Sequence, residues 1–173
     1  MNIFFVDSDP IIAAQSLCDK HISKMILESG QMLCSALRRH GANSSDMPLT
    51  LTSGKPWRGG FPNHPSTLWA GDSRDNYVWL STHALTLCSQ FNIRFGKPHG
   101  CFPAITQFAS MSHYIPTGSL TPFARAVSAS NYPDLGDTTL WPDTVLAYRE
   151  FYRRDKLAFA KWSRGVSAPG WWS

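Results

Sequence analysis

A helical pattern running from about Pro10 to His40 constrains this chain more than any other feature. Ser8 or Asp9 can cap its start, Pro10 suits the first helical position, and Gly41 stops it. Cys18 and Asp19 mark a point where the pattern can divide into two helices. Counted from His21 in steps of three and four, the residues met are His21, Lys24, Glu28, Gln31, Ser35 and Arg38, all polar. Counted from Ile22, they are Ile22, Met25 or Ile26, Ser29, Leu33, and Ala36 or Leu37, mostly apolar. A helix with one apolar and one polar face must bury the first against other elements. Gly30 inside it costs about 1 kcal/mol relative to alanine, so its presence implies that something approaches the helix closely there.

The rest of the chain supports a mainly α fold, a single compact helical domain spanning 1–173 with long irregular loops. Residues 2–6 form an apolar run that reads either as a short N-terminal strand or as a buried extended arm. Residues 41–65 are a loop rich in Gly, Ser, Pro and Asn, and a loop of that length is usually functional or mobile. Ser66 can cap a short turn, and Asp72 can cap a long helix reaching about Phe95, which Gly96 and Pro98 end. A short helix is expected over 103–112, irregular structure over 113–142, and a last helix from Pro142-Asp143 through Val145 to Trp162, followed by an extended tail. With 43% hydrophobic and 13% aromatic residues, a chain of this size can bury a core without metal or disulfide staples.

Sixteen basic residues against twelve acidic ones give a net charge of +4 and a pI near 9.0, which favours anionic partners and is equally compatible with simple solubility. The four cysteines, Cys18, Cys34, Cys88 and Cys101, form no CxxC pair and read as reduced core residues. His99 beside Cys101 fits no standard zinc spacing, so no metal is expected. The N-terminus lacks the basic and long apolar regions of a signal peptide, and no run reaches membrane-spanning length; the expected location is cytoplasmic, with no membrane partner.

The polar stripe mixes a proton-transfer residue, a carboxylate, an amide and cations. Glu28 can act as a general base or stabilise a developing cation; His21 can bind phosphate or shuttle a proton; Lys24 can pair with phosphate or serve as an amine nucleophile. A solvated face with Lys24 and Glu28 as a surface pair is the plain alternative. In FPNHPSTLW, Asn63 and His64 lie between prolines that fix the backbone, which suits a site or merely shapes a loop. In GDSRDNYVWL, Asp72 and Asp75 read as cap and third-position carboxylate, Arg74 can meet phosphate, and Asn76 can hydrogen-bond a base edge. Tyr77 and Trp79 can stack on a base or pack in the core. Arg149, Arg153 and Lys156 recur at helical spacing, with Lys161 and Arg164 beyond, as a basic face for phosphate. Arg125 in TPFARA adds a charged loop, and Trp171 with Trp172 either staples the tail or wedges against nucleic acid.

The segment LCDKHISKMILESGQML resembles the first helix of the phage pyrimidine-dimer DNA glycosylases of the endonuclease V type. That family has a Leu-x-Asp-x-His pattern with a catalytic glutamate seven residues after the histidine. Here Leu17, Asp19 and His21 match, and Glu28 stands at 28 − 21 = 7. The likeness covers about 20 residues; a tryptophan-rich tail after a basic helix is similar in character. Over NHPSTLW, SRDNYVWL and TPFARA, the chain also resembles phage proteins of uncharacterised role, some labelled as such glycosylases. The resemblance implies a mainly helical enzyme without cofactors. An amine would attack the deoxyribose C1′, the base would leave, and an imine would form before strand scission. Glu28 would be the essential carboxylate, His21 and Lys24 would face the DNA backbone, and the target base would be flipped out. The family uses the α-amine of a small residue exposed by loss of the initiator methionine. Here Asn2 follows Met1, which leaves the amine of Met1, Lys24, or no imine chemistry at all. A base-hypermodifying transferase using the same pocket, and a non-catalytic DNA-binding or host-interaction protein, are the other readings. The sequence says nothing of oligomeric state.

Overall fold

In the computed structural model, residues 2–127 and 143–172 are described. Six α-helices are present among them: α1 (Pro10–Gln15), α2 (Asp19–Arg39), α3 (Pro65–Asp72), α4 (Arg74–Phe95), α5 (Phe102–Ala109) and α6 (Thr144–Lys156). Asp9 caps α1, its carboxylate accepting from the amides of Ile11 and Ile12 at 2.7 and 3.1 Å. The pattern does divide, at Ser16–Cys18, and α2 ends at His40 before Gly41, whose φ is +88°. No strand forms among the described residues; the 2–6 segment is the buried extended arm, and Leu49 and Pro56 make one isolated bridge.

Two caps differ from expectation. His64, not Ser66, caps α3: its Nδ1 accepts from the amide of Ser66 at 3.2 Å. Ser73, not Asp72, caps α4, because its extended backbone is the break between the two helices while Asp72 still belongs to α3. Asp72 instead pairs with Arg39 at 2.8 Å. Asp143 caps α6, accepting from the amides of Val145 and Leu146; Pro142 lies outside the described residues. That helix stops at Lys156, short of the expected Trp162, because the chain turns back there. The indole of Trp162 donates to the carbonyl of Ser16, and the Lys161 carbonyl accepts from the amide of Asp19. The tail closes in a 3₁₀ turn over Gly170–Trp172 rather than staying extended.

The longest helices, α2 and α4, pack together, with α3 and α5 against both and α1 against α4. The arm runs into this core. Phe5 is fully buried, with its ring against Trp69, Trp79, Phe123 and Tyr148. Arg94 is the largest side chain fully inside. A buried guanidinium is tolerated only when its donors are matched. Here they reach the carbonyls of Leu17 and Gln15, the side chain of Gln90, and Asp19 at 3.1 Å. Among the described residues no helix is long and apolar enough to cross a membrane.

Candidate functional site: the Glu28 junction

The polar stripe of α2 is covered piece by piece by other parts of the chain. At its start, His21 is buried, stacked on Phe4 and edge-on to Tyr152 and Phe159, with Nδ1 2.7 Å from the Tyr152 hydroxyl. Burial lowers its pKa to about 3, helped by the charges of Lys156, Lys24 and Lys20. The ring is therefore neutral and enclosed, which corrects the expectation that it binds phosphate or faces a DNA backbone.

Glu28 is the stripe's meeting point. Its side chain is only 12% exposed, while that of Lys24, one turn earlier, is 61% exposed and brings Nζ to 3.4 Å from Oε1. The other carboxylate oxygen accepts the backbone amide of Asn2 at 3.1 Å. Asn2 is held from several sides. Its Nδ2 donates to the Ala126 carbonyl, and its Oδ1 accepts from the Ser66 and Tyr148 hydroxyls at 3.3 and 3.1 Å. Burial raises the pKa of Tyr148, which keeps that hydroxyl protonated as a donor. His64 belongs to the same cluster. Its pKa is lowered by burial first and by the positive charge of the chain's N-terminus second, with Glu28 pulling the other way. Held neutral, it can accept at Nδ1 and cap α3.

Past Glu28, the loop over 57–64 lies on the rest of the stripe. The Ser35 hydroxyl both accepts from the amide of Gly60 (2.9 Å) and donates to its carbonyl (3.0 Å). Gly60 rests on Gln31, and Gly59 has a φ of +76° where a Cβ would come within 2.4 Å of Ser35 Oγ. Arg38 donates to the Trp57 carbonyl at 2.7 Å and to Ser44, so it ties down the loop instead of pointing at a ligand. The group that approaches Gly30 is the chain's own Trp57 ring, 2.8 Å from where a Cβ would stand.

The remaining predicted residues separate into those near this junction and those doing structural work. Asn63 is exposed beside His64. Asn76 is fully buried; its amide joins the Trp69 carbonyl and Thr121, and its Oδ1 accepts from the Thr121 amide, so it reads no base edge. Tyr77 and Trp79 are core, donating to the carbonyls of Phe108 and Ser8. Arg74 donates to the Ile115 carbonyl, and its amide to Pro116. Arg125 meets Thr144 and, with Arg149, Asp7 and Asp143, lines a recess of about 560 Å³. The basic face of α6 is largely matched by acids: Arg149 with Asp7, Arg153 and Arg154 with Glu150, Lys156 with Asp155. Trp171 packs on Tyr152 and Trp172 with Arg149 over its ring, which makes it the staple and not a wedge. His99 caps the turn to Cys101, and no group of three or more His, Cys, Asp or Glu among the described residues can hold a metal.

Asn2, Ser66 as its ligand, and Tyr148 were not legible as site residues in sequence. The one signal toward Asn2 was the use of an N-terminal amine by the glycosylase family. Glu28 lines none of four cavities of about 350, 560, 380 and 520 Å³; it lies behind Asn2 and beside Lys24. No protein-family model, curated protein or solved structure matches this chain.

Proposed function

We propose that this chain is a DNA base-excision enzyme, an N-glycosylase with AP lyase chemistry that acts on damaged or modified pyrimidines. The observation that carries the proposal is the contact between Glu28 Oε2 and the amide of Asn2 at 3.1 Å. The α-amine of Met1 is three covalent bonds from that amide nitrogen, which places it within about 4 Å of it. A low-accessibility carboxylate that holds the residue following an α-amine fits the pairing that imine chemistry at a sugar needs. An α-amine has a reference pKa of about 7.8 against about 10.4 for a lysine side chain. It therefore offers free base near neutral pH, which suits an α-amine to the role of nucleophile.

In this mechanism the free amine attacks C1′ of the extruded nucleotide. The C1′–N bond breaks, its electron pair leaves with the base, and the base takes up a proton. The amine passes a proton through Glu28 to O4′ as the C1′–O4′ bond breaks and the sugar opens to an imine. The carboxylate stabilises the cationic form of that imine electrostatically. Loss of a C2′ proton then expels the 3′-phosphate, and water releases the amine. Lys24, exposed beside the carboxylate, meets a backbone phosphate, and the net charge of +4 favours the polyanion.

The test is base release from DNA carrying ultraviolet dimers or modified pyrimidines. Wild type releases base and Glu28→Gln loses at least about 100-fold, on the scale of a lost transition-state charge partner. No release by wild type on any such substrate, or equal release by the variant, overturns the proposal.

A further inference from the structure

We infer that Phe61 is a wedge that stacks on nucleobases beside the Glu28 junction and holds open the gap left by an extruded nucleotide; the inference rests on the base-excision reading above. Two observations set this residue apart. Its φ is +50°, a region that non-glycine residues enter rarely and that bulky ones enter under strain. Its side chain is also among the large apolar groups left in solvent, at 62% exposure. Strained backbone persists where the surroundings over-determine it, and such places cluster at functional sites.

Here the surroundings are visible on both sides. Upstream, Gly60 is fixed through its amide and carbonyl to the Ser35 hydroxyl and lies on Gln31, one turn beyond Glu28. Downstream, the amide of His64 closes a turn on the Phe61 carbonyl at 3.0 Å, and His64 is locked as the cap of α3 in the field of Glu28. Phe61 is thus held on a short rigid bridge across the Glu28 face. Its ring makes none of the aromatic or cation–ring contacts found among the described residues, and most of the residue stands in solvent.

The identity of the occupant follows from the neighbourhood. Arg58 and Asn63, three residues before Phe61 and two after it, are exposed and put a cation and an amide on the same stretch of chain. An exposed aromatic on a fixed backbone, with a cation and an amide close to it in the chain, suits the π-face of a base with phosphates to either side.

The experiment measures binding to a duplex with one tetrahydrofuran abasic analogue and to the same duplex intact, as a function of salt. The analogue has no aldehyde, so imine formation does not enter. The proteins are wild type, Phe61→Ala, Phe61→Trp and Phe61→Gly, the last removing ring and backbone strain together as a folding control. The expected result is at least a tenfold loss for Phe61→Ala and Phe61→Gly on the abasic duplex, within twofold of wild type on the intact one. Phe61→Trp should recover most of the loss, and the salt dependence should not change. Equal binding by wild type and Phe61→Ala overturns the wedge, as does an equal loss on both duplexes. No DNA binding by wild type overturns the wedge and the base-excision reading together. Ring-dependent binding without any base release strikes the base-excision reading alone.

Discussion

The first turn of α2 and its middle carry the same kinds of residue and serve opposite purposes. At the first turn, Asp19 pairs with the fully enclosed Arg94, accepts from Ser163, and sits beside a neutral, stacked His21. Nine residues on, Glu28 faces the amide of Asn2 and an exposed Lys24. The first carboxylate is matched by a cation that has nowhere else to go, so it belongs to the fold. The second is matched by the chain's own beginning and by a lysine free to turn to solvent, so it can exchange partners. The Leu-Asp-His spacing that carries the family resemblance is therefore structural in this chain, and only its glutamate meets an exposed partner, Lys24.

The largest effect expected is at Arg94. Arg94→Ala should lose about 3–5 kcal/mol or prevent folding, since it leaves Asp19 and two carbonyls without their buried partner. Denaturant unfolding checks this, and a loss below about 1 kcal/mol would break the structural half of the comparison. Glu28→Gln should show the reverse pattern. Its unfolding free energy should change by less than about 1 kcal/mol, as for a partly solvated pair, while base release falls by at least about 100-fold.

A third prediction turns on pH. His21 has a folded pKa of about 3 against an ordinary value of 6.5, so below about pH 6.5 the unfolded chain takes a proton that the folded one refuses. Stability is complete above that pH and is lost as pH falls toward 3. From pH 7 to 5 this histidine should account for about 2 kcal/mol, and the fall should shrink by that amount in His21→Phe. His83, fully buried and also lowered to about 3, adds a similar loss in both proteins. An identical pH dependence in wild type and His21→Phe would contradict the burial of His21.

Gly30→Ala sharpens the comparison from the side of the loop. The added methyl meets the Trp57 ring, so the variant should lose about 1–3 kcal/mol despite alanine's better helix propensity. A gain in thermal stability would mean that the loop is not seated on α2 as described. Arg153→Ala should be the mildest change, within about 0.5 kcal/mol by thermal or chemical unfolding, because its pair with Glu150 is exposed.

What could be read in sequence was local. The break before α2, its stop at Gly41 and the end of α4 at Gly96 follow from caps and breakers acting on their immediate neighbours. Glu28 stood out through its helical spacing. The end of α6 was not legible, since the Trp162 indole and the Lys161 carbonyl find partners at Ser16 and Asp19, far back in the chain. The enclosure of His21 depends on Tyr152 and Phe159, and the meaning of Glu28 depends on Asn2; no window along the sequence contains either set. Asn76 read as a recognition residue because a polar side chain on a helix face does not reveal that Thr121 and a carbonyl already use its whole amide. Phe61 gave no signal at all, since a positive φ is expected at glycine.

The most direct test of the central claim is to trap the protein with borohydride on an oligonucleotide carrying a natural abasic site and to map the modified residue by peptide mass spectrometry. The account predicts a covalent adduct on the α-amine of Met1, still formed by Lys24→Ala when protein is added to saturation. An adduct carried by Lys24, or no adduct while the folded protein binds the same oligonucleotide, would contradict it.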